Sequence, residues 1–232
     1  MFKLAPVFSG KLFNEELYLI EEEICAFPMK SSLRFKRRNV DTSVLSSNPT
    51  FQSVFSEGLQ RELLELYGQT NHMFLHWALK PEAEQNEALK TALHEAGLAQ
   101  DFEVHDLCGS VCMVTPDELI NRKNFEYLSR EGEEYFPFDA TETLIACFRL
   151  VDGQVEDEIY LFNVHNPDKV ESMGVGCERY LELAAQAKLF NKWQYAYLDR
   201  DSAFHRLLHT VVPLVFGPVD PDLSSFGPAP QS

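Results

Sequence analysis

Apolar residues recur along this chain at two periods, and the changes of period mark its elements. Over residues 12–25, Leu12 and Leu19 alternate with Glu15, Glu16, Glu22 and Glu23 at helical spacing, and Pro28 follows, which predicts a helix. Phe55, Leu59, Leu63, Leu66 and Tyr67 fall on one face of a second helix, over about residues 53–67. Pro81 opens a polar helix that runs to about Ala96, with Gly97 placed to end it. Its narrow stripe of Leu89, Leu93 and Ala96 assigns it to the surface. Cys177–Phe190 carries Tyr180, Leu181, Ala184 and Lys188 on one side. A last helix after Asp201 uses Phe204, Leu207, Leu208 and Val211 and should stop before Pro213.

Between these lie segments of strand character. Met73–Leu79 is short, apolar and aromatic. Residues 102–114 read as one or two strands with Gly109 at a bend. Thr115-Pro116-Asp117-Glu118 then reads as a capping box with proline at the first helical position. Leu144–Val151 and Ile159–Val164 are apolar runs separated by Asp152-Gly153, a hairpin signal, and their continuity predicts strands covered on both faces. Val170–Met173 would extend the sheet. The order predicts an α+β fold, a mostly antiparallel central sheet flanked by helices. Ser46-Ser47-Asn48-Pro49 marks a boundary. It sets residues 1–47 apart as a helical and basic extension, 48–216 as the α+β domain, and 217–232 as a flexible proline-rich tail.

Composition narrows the function. A chain of 232 residues, 45% of them hydrophobic, can bury a core without staples. Five cysteines (Cys25, Cys108, Cys112, Cys147, Cys177) without CxxC pairs make a poor disulfide framework and predict a reducing compartment. The amino-terminal residues lack the apolar run of a signal peptide, and no window suits a membrane span, so a cytoplasmic protein without membrane insertion is expected. The formal charge is −16, yet residues 30–38 hold five basic groups and no acid. So acidic a surface disfavours direct nucleic-acid binding and would attract a basic partner. The basic stretch is expected to be an exposed loop paired with acidic neighbours.

No complete catalytic or metal-binding set is present. Gly174-Val175-Gly176 is too short for a nucleotide loop, and no Gly-x-Ser-x-Gly elbow occurs. His72/His76 falls in an expected strand, where four residues span about 13 Å and cannot chelate one ion. His205/His209 has helical spacing but offers only two ligands. Cys108 and Cys112, with His105 near, read as buried thiols in an extended segment. Asp101, Glu103 and Asp106 have no lysine at the spacing a metal nuclease would need. No cofactor or catalytic residue is assigned.

Four segments, in order, resemble the SUKH (Smi/Knr-like) superfamily over residues 57 to 198. These are the helix Leu59–Tyr67, the loop and strand Asn71–Trp77, the Gly109–Leu119 element, and Tyr180–Leu183 through Trp193-Gln194. Phe138-Asp139 and the strands around Asp152-Gly153 fit the family's central hairpin. The chain departs from the pattern at His72, where the family usually has glycine, and over residues 81–101, which look like an inserted helix. The resemblance implies a protein-binding role. Bacterial relatives often neutralise a cognate toxin, frequently a nuclease, and fungal relatives act as regulatory scaffolds. Its marker residues Trp77, Gly109 and Trp193 are expected to be structural, the tryptophans packed in the core and Gly109 at a backbone turn. The expected partner surface is acidic: Glu131, Glu133 and Glu134 with Asp152, Glu156, Asp157 and Glu158 at and beyond the hairpin turn. A neutralising inhibitor of a toxin is the first reading, a regulatory scaffold the alternative.

Overall fold

Asp152 and Gly153 both have positive φ, 51° and 80°, as a two-residue type I′ turn requires. They join strands β5 (Leu144–Val151) and β6 (Gln154–Asn163) into the predicted antiparallel hairpin. Strands β4 (Glu134–Ala140) and β7 (Asn166–Ser172) flank it, giving a four-stranded sheet in the order β4-β5-β6-β7. That is the second sheet along the chain; the first is three-stranded and antiparallel, made of β1 (Ser32–Arg37), β2 (His72–Ala78) and β3 (Cys108–Cys112). A bridge between Met113 and Asp139, with the Val114 N–H donating to the Phe138 carbonyl at 3.1 Å, brings the two sheets together. The computed structural model describes residues 10–26, 32–37, 41–69, 72–79, 86–104, 107–122, 124–129, 132–141, 143–217 and 226–227. The fold is α+β, as the order of patterns predicts.

Helices cover one side of this arrangement. Helix α1 (Gly10–Ala26) buries Phe13, Leu17, Ile20 and Ile24 in the same core as the strands. Short helix α2 (Ser43–Ser46) precedes α3 (Pro49–Val54), whose amide groups are capped by Asn48. Helix α4 (Glu57–Gln69) buries Leu59, Leu63, Leu66 and Tyr67. The single helix expected over 53–67 is thus divided. Phe55 takes an extended backbone and sends its ring between Phe136 and Phe148, at 5.2 and 6.4 Å. Helix α5 (Glu87–Glu95) buries the stripe of Leu89 and Leu93 and packs on the last helix. Pro81 lies outside the described residues. The capping box at Thr115 forms and starts α6 (Pro116–Asn121). Helix α7 (Cys177–Gln186) is followed by α8 (Trp193–Leu198) and α9 (Ala203–Phe216).

Four further expectations change. The basic segment is not a loop: Ser32–Arg37 is strand β1, paired with β2. Helix α9 does not stop before Pro213 but carries it inside. A helical proline costs about 3 kcal/mol. Burial of Val211, Val212 and Val215 on the same helix offsets it. The segment set apart as an amino-terminal extension shares the main core, and Lys188 reaches Glu23 of α1 at 2.9 Å. In the segment read as a flexible tail, Phe226 is buried against Trp193 and Tyr197.

The second sheet has two apolar faces. Ala146, Phe148, Ile159 and Leu161 point to the helices, while Ile145, Cys147, Tyr160 and Phe162 form a smaller cluster on the far side with Leu128 and Tyr135. No helix among the described residues is long and apolar enough to cross a membrane.

Candidate interaction surface

The expected acidic surface is divided by the geometry of the hairpin. Phe148 pairs with Ile159 and Leu150 with Val155, so Glu156, Asp157 and Glu158 together oppose Arg149 in a bulge. Period-two alternation sends Glu156 and Glu158 to the far face and Asp157 to the helix side.

On the far face the charges are satisfied. Glu156 accepts from Arg149 at 3.1 and 3.2 Å and from the Tyr160 hydroxyl at 3.0 Å. The Arg149 guanidinium lies 4.6 Å above the Tyr160 ring. Glu158 takes the Ser172 hydroxyl and Glu133 takes the Tyr135 hydroxyl at 3.1 Å. Glu134 lies on the other side of β4, with Phe136, and pairs with Arg122 at 3.1 Å. Burial and Glu133 push the Tyr135 phenol up to about 12. Asp152 is exposed at the turn, and Glu131 lies outside the described residues.

Asp157 leads to a different surface. Helix α7 starts at Gly176, which has no side chain to cap it, and Asp157 Oδ1 accepts the Cys177 N–H at 2.9 Å instead. A Cβ at Gly176 would stand 2.7 Å from Asp157 Oδ2, so glycine is what lets the carboxylate reach the helix end. Around Asp157 lie Glu62 and Glu65 of α4 and Glu178 and Glu182 of α7. Partial burial raises the Glu62 carboxyl above its ordinary range, and the charges of Asp157 and Glu178 raise it further, with Arg61 opposing. Partial burial also raises Glu178, followed by Glu182, Asp157 and Glu65. Glu62 Oε2 and Glu178 Oε1 are shut from water without a hydrogen bond among the described residues. Arg179 pairs with Glu182. Burial first, then the neighbouring carboxylates, raises the Cys177 thiol well above its usual value, which leaves it a poor nucleophile.

Sequence reasoning named only Asp157 of this group. The signal was available: Glu62/Glu65 and Glu178/Glu182 are spaced three and four apart, which places each pair on one helix face. What it lacked was the packing of α4 against α7.

The remaining candidates are structural or separate. Trp77 is fully buried and donates its indole N–H to the Lys188 carbonyl at 2.9 Å. Gly109 does not turn the chain but lies within β3, under that indole. Trp193 is buried against Tyr180, 5.0 Å away. Cys108 and Cys112 are half-buried rather than buried, four residues apart on one strand. The side chain of His72, and residues His105 and Asp106, are not among those described, while Asp101 and Glu103 are exposed. The rings of His205 and His209 lie 4.3 Å apart with their planes tilted by 44°, and His205 Nδ1 meets the Ala196 carbonyl at 2.9 Å. Among the described residues no three ligand-type side chains converge.

Asp139, which the sequence places only in the hairpin motif with Phe138, is a charged group in the core. It is 3% exposed. A bulge at Phe138 turns Phe138 and Asp139 to the same side of β4, where both meet Tyr180. Asp139 accepts the Cys112 N–H and the Tyr180 hydroxyl, each at 2.8 Å, and Gln194 donates to that hydroxyl at 3.1 Å. Burial raises its carboxyl, and these two hydrogen bonds oppose the rise. The network ties both sheets to α7 and α8, the mark of a structural clamp. No family model, no curated protein and no solved structure matches this chain.

Proposed function

We propose that this protein is a binding module whose acidic face around Asp157 engages a basic partner, and that it acts in the cytoplasm as an immunity-type inhibitor of a cognate toxin. The observation that carries the reading is the state of Glu62 and Glu178. Each has an oxygen withdrawn from water without a hydrogen-bond partner among the described residues, and each is raised by partial burial first and by neighbouring carboxylates after it. Such a face holds repulsion that a lysine- or arginine-rich surface would relieve. Opposite charge also speeds encounter and selects the partner. Nucleases present basic clefts to phosphate backbones, so a carboxylate face can occupy the same cleft. The order of segments resembling the SUKH superfamily supports the same class of role, and no cofactor or catalytic step enters it. Five free cysteines suit a reducing compartment.

The test compares the wild-type chain with one carrying Glu62→Gln, Glu65→Gln, Glu178→Gln and Glu182→Gln. A partner captured by the wild type is identified, and its association is measured at low and high salt. The expected result is slower association for the variant, a flatter salt dependence, and loss of protection in cells that express the partner. Equal rates and equal protection would overturn the acidic face. A captured partner without toxicity would favour a scaffold over an inhibitor.

A further inference from the structure

The face of the first sheet opposite Trp77 carries a pocket of about 300 Å³. Strand register builds its floor. Arg34 stands opposite His76, and His76 opposite Ser110. Alternation puts Phe74, Cys108 and Cys112 on the same face. Two walls rise from other elements. Asn191 is fixed by its N–H, which donates to the Cys108 carbonyl at 2.8 Å. The turn between β4 and β5 brings Thr141 and Thr143, and the Thr141 hydroxyl holds it by donating to the Leu144 carbonyl at 3.0 Å.

The described lining is chemically one-sided. Arg34 is exposed, and among the described residues it makes no ion pair and the polar ends of Ser110, Thr143 and Asn191 have no hydrogen bond. No described lining residue is an acid, in a chain where 36 of 232 residues are Asp or Glu. A guanidinium with hydroxyl and amide donors around it is the chemistry that recognises a carboxylate or phosphate. Phe74, whose ring lies parallel to that of His76 at 6.4 Å, offers an apolar wall. The volume suits a small ligand rather than a chain.

We infer that this pocket binds a small oxyanion, with Arg34 as the charge partner and Ser110, Thr143 and Asn191 as the hydrogen-bonding groups. The site is separate from the face around Asp157 and stands or falls independently of it.

The experiment is an NMR titration of the isotope-labelled full chain with sodium phosphate, sodium benzoate and, as the uncharged control, benzamide. Amide signals of Ser110, Thr143 and Asn191 should move saturably with at least one anion and not with benzamide. Arg34→Gln should weaken the effect about tenfold or more, the loss expected for one charge-assisted contact. Lys90→Gln, on exposed α5, should leave it unchanged, as should the four-glutamine variant of the acidic face. Saturation by phosphate alone assigns a phosphate ligand, and by benzoate alone a carboxylate. No saturation with either anion, equal response to benzamide, or unchanged affinity in Arg34→Gln would overturn the inference.

Discussion

The indole of Trp77 fills the space that a side chain at Gly109 would need. The two residues are paired across β2 and β3, and a Cβ at 109 would lie 2.4 Å from Trp77 Nε1 and 2.6 Å from the Leu189 carbonyl oxygen. One neighbour is a fully buried ring and the other is backbone, so neither gives way cheaply. Gly109→Ala should cost about 1–3 kcal/mol, the range for overpacking a closed core. Urea unfolding of the variant checks it, and unchanged stability would show that the ring moves freely.

Phe148 sits at the centre of the helix side of the second sheet, 5.3 Å from Phe138 and fully buried. Phe148→Ala should lose about 3–5 kcal/mol. The midpoint of chemical unfolding reads this directly.

Asp157 has two duties that substitutions can separate. Asp157→Ala removes the acceptor for the Cys177 N–H and should cost about 0.5–2 kcal/mol through loss of the cap. Asp157→Asn keeps an acceptor and should cost less. Both remove the charge, so both should slow association with a basic partner to a similar degree. Equal stability of the two variants would show that the cap contributes nothing.

Glu62 and Glu178 give stability a definite pH dependence. For each, the folded-state pKa lies above its unfolded value, so folding takes up protons. Their contribution is fully present below the unfolded carboxylate pKa, about 4.3, and is lost as pH rises through the folded value. Glu62→Gln and Glu178→Gln should therefore raise Tm at pH 7, and the gain should vanish on acidification below the carboxylate range. Thermal unfolding across pH distinguishes this from a gain that persists at low pH, which would have another origin.

Local chemistry was legible in the sequence, and long-range packing was not. The Asp152-Gly153 turn and the Thr115 capping box form because each depends on residues a few positions apart. The basic strand β1 was hidden by its own charge: Ser32-Leu-Arg-Phe-Lys-Arg37 alternates polar and apolar residues, yet the run of cations suggested a solvated loop. Gly109 was read as a bend because glycine most often marks one, whereas here it makes room for a residue 32 positions earlier. The acids beyond the hairpin looked like one patch in sequence. The bulge at Glu156–Glu158 splits them, and the charged face completes itself with glutamates from α4 and α7. Only the packing of α7 on β6 and of α4 on α7 brings them together.

Because the second sheet keeps its two apolar faces apart, it acts as a partition between unequal compartments. The larger one is closed by several helices, and the smaller mainly by the turn at Phe125–Leu128, whose Tyr127 remains 51% exposed while its ring touches Phe162. Distant sites without shared neighbours add in free energy. Damage on one side, such as Leu63→Ala in α4, should add to damage at Phe162 on the other. Amide exchange should likewise be faster beneath the thin cover than beneath the helices, so the molecule loosens from its far face first.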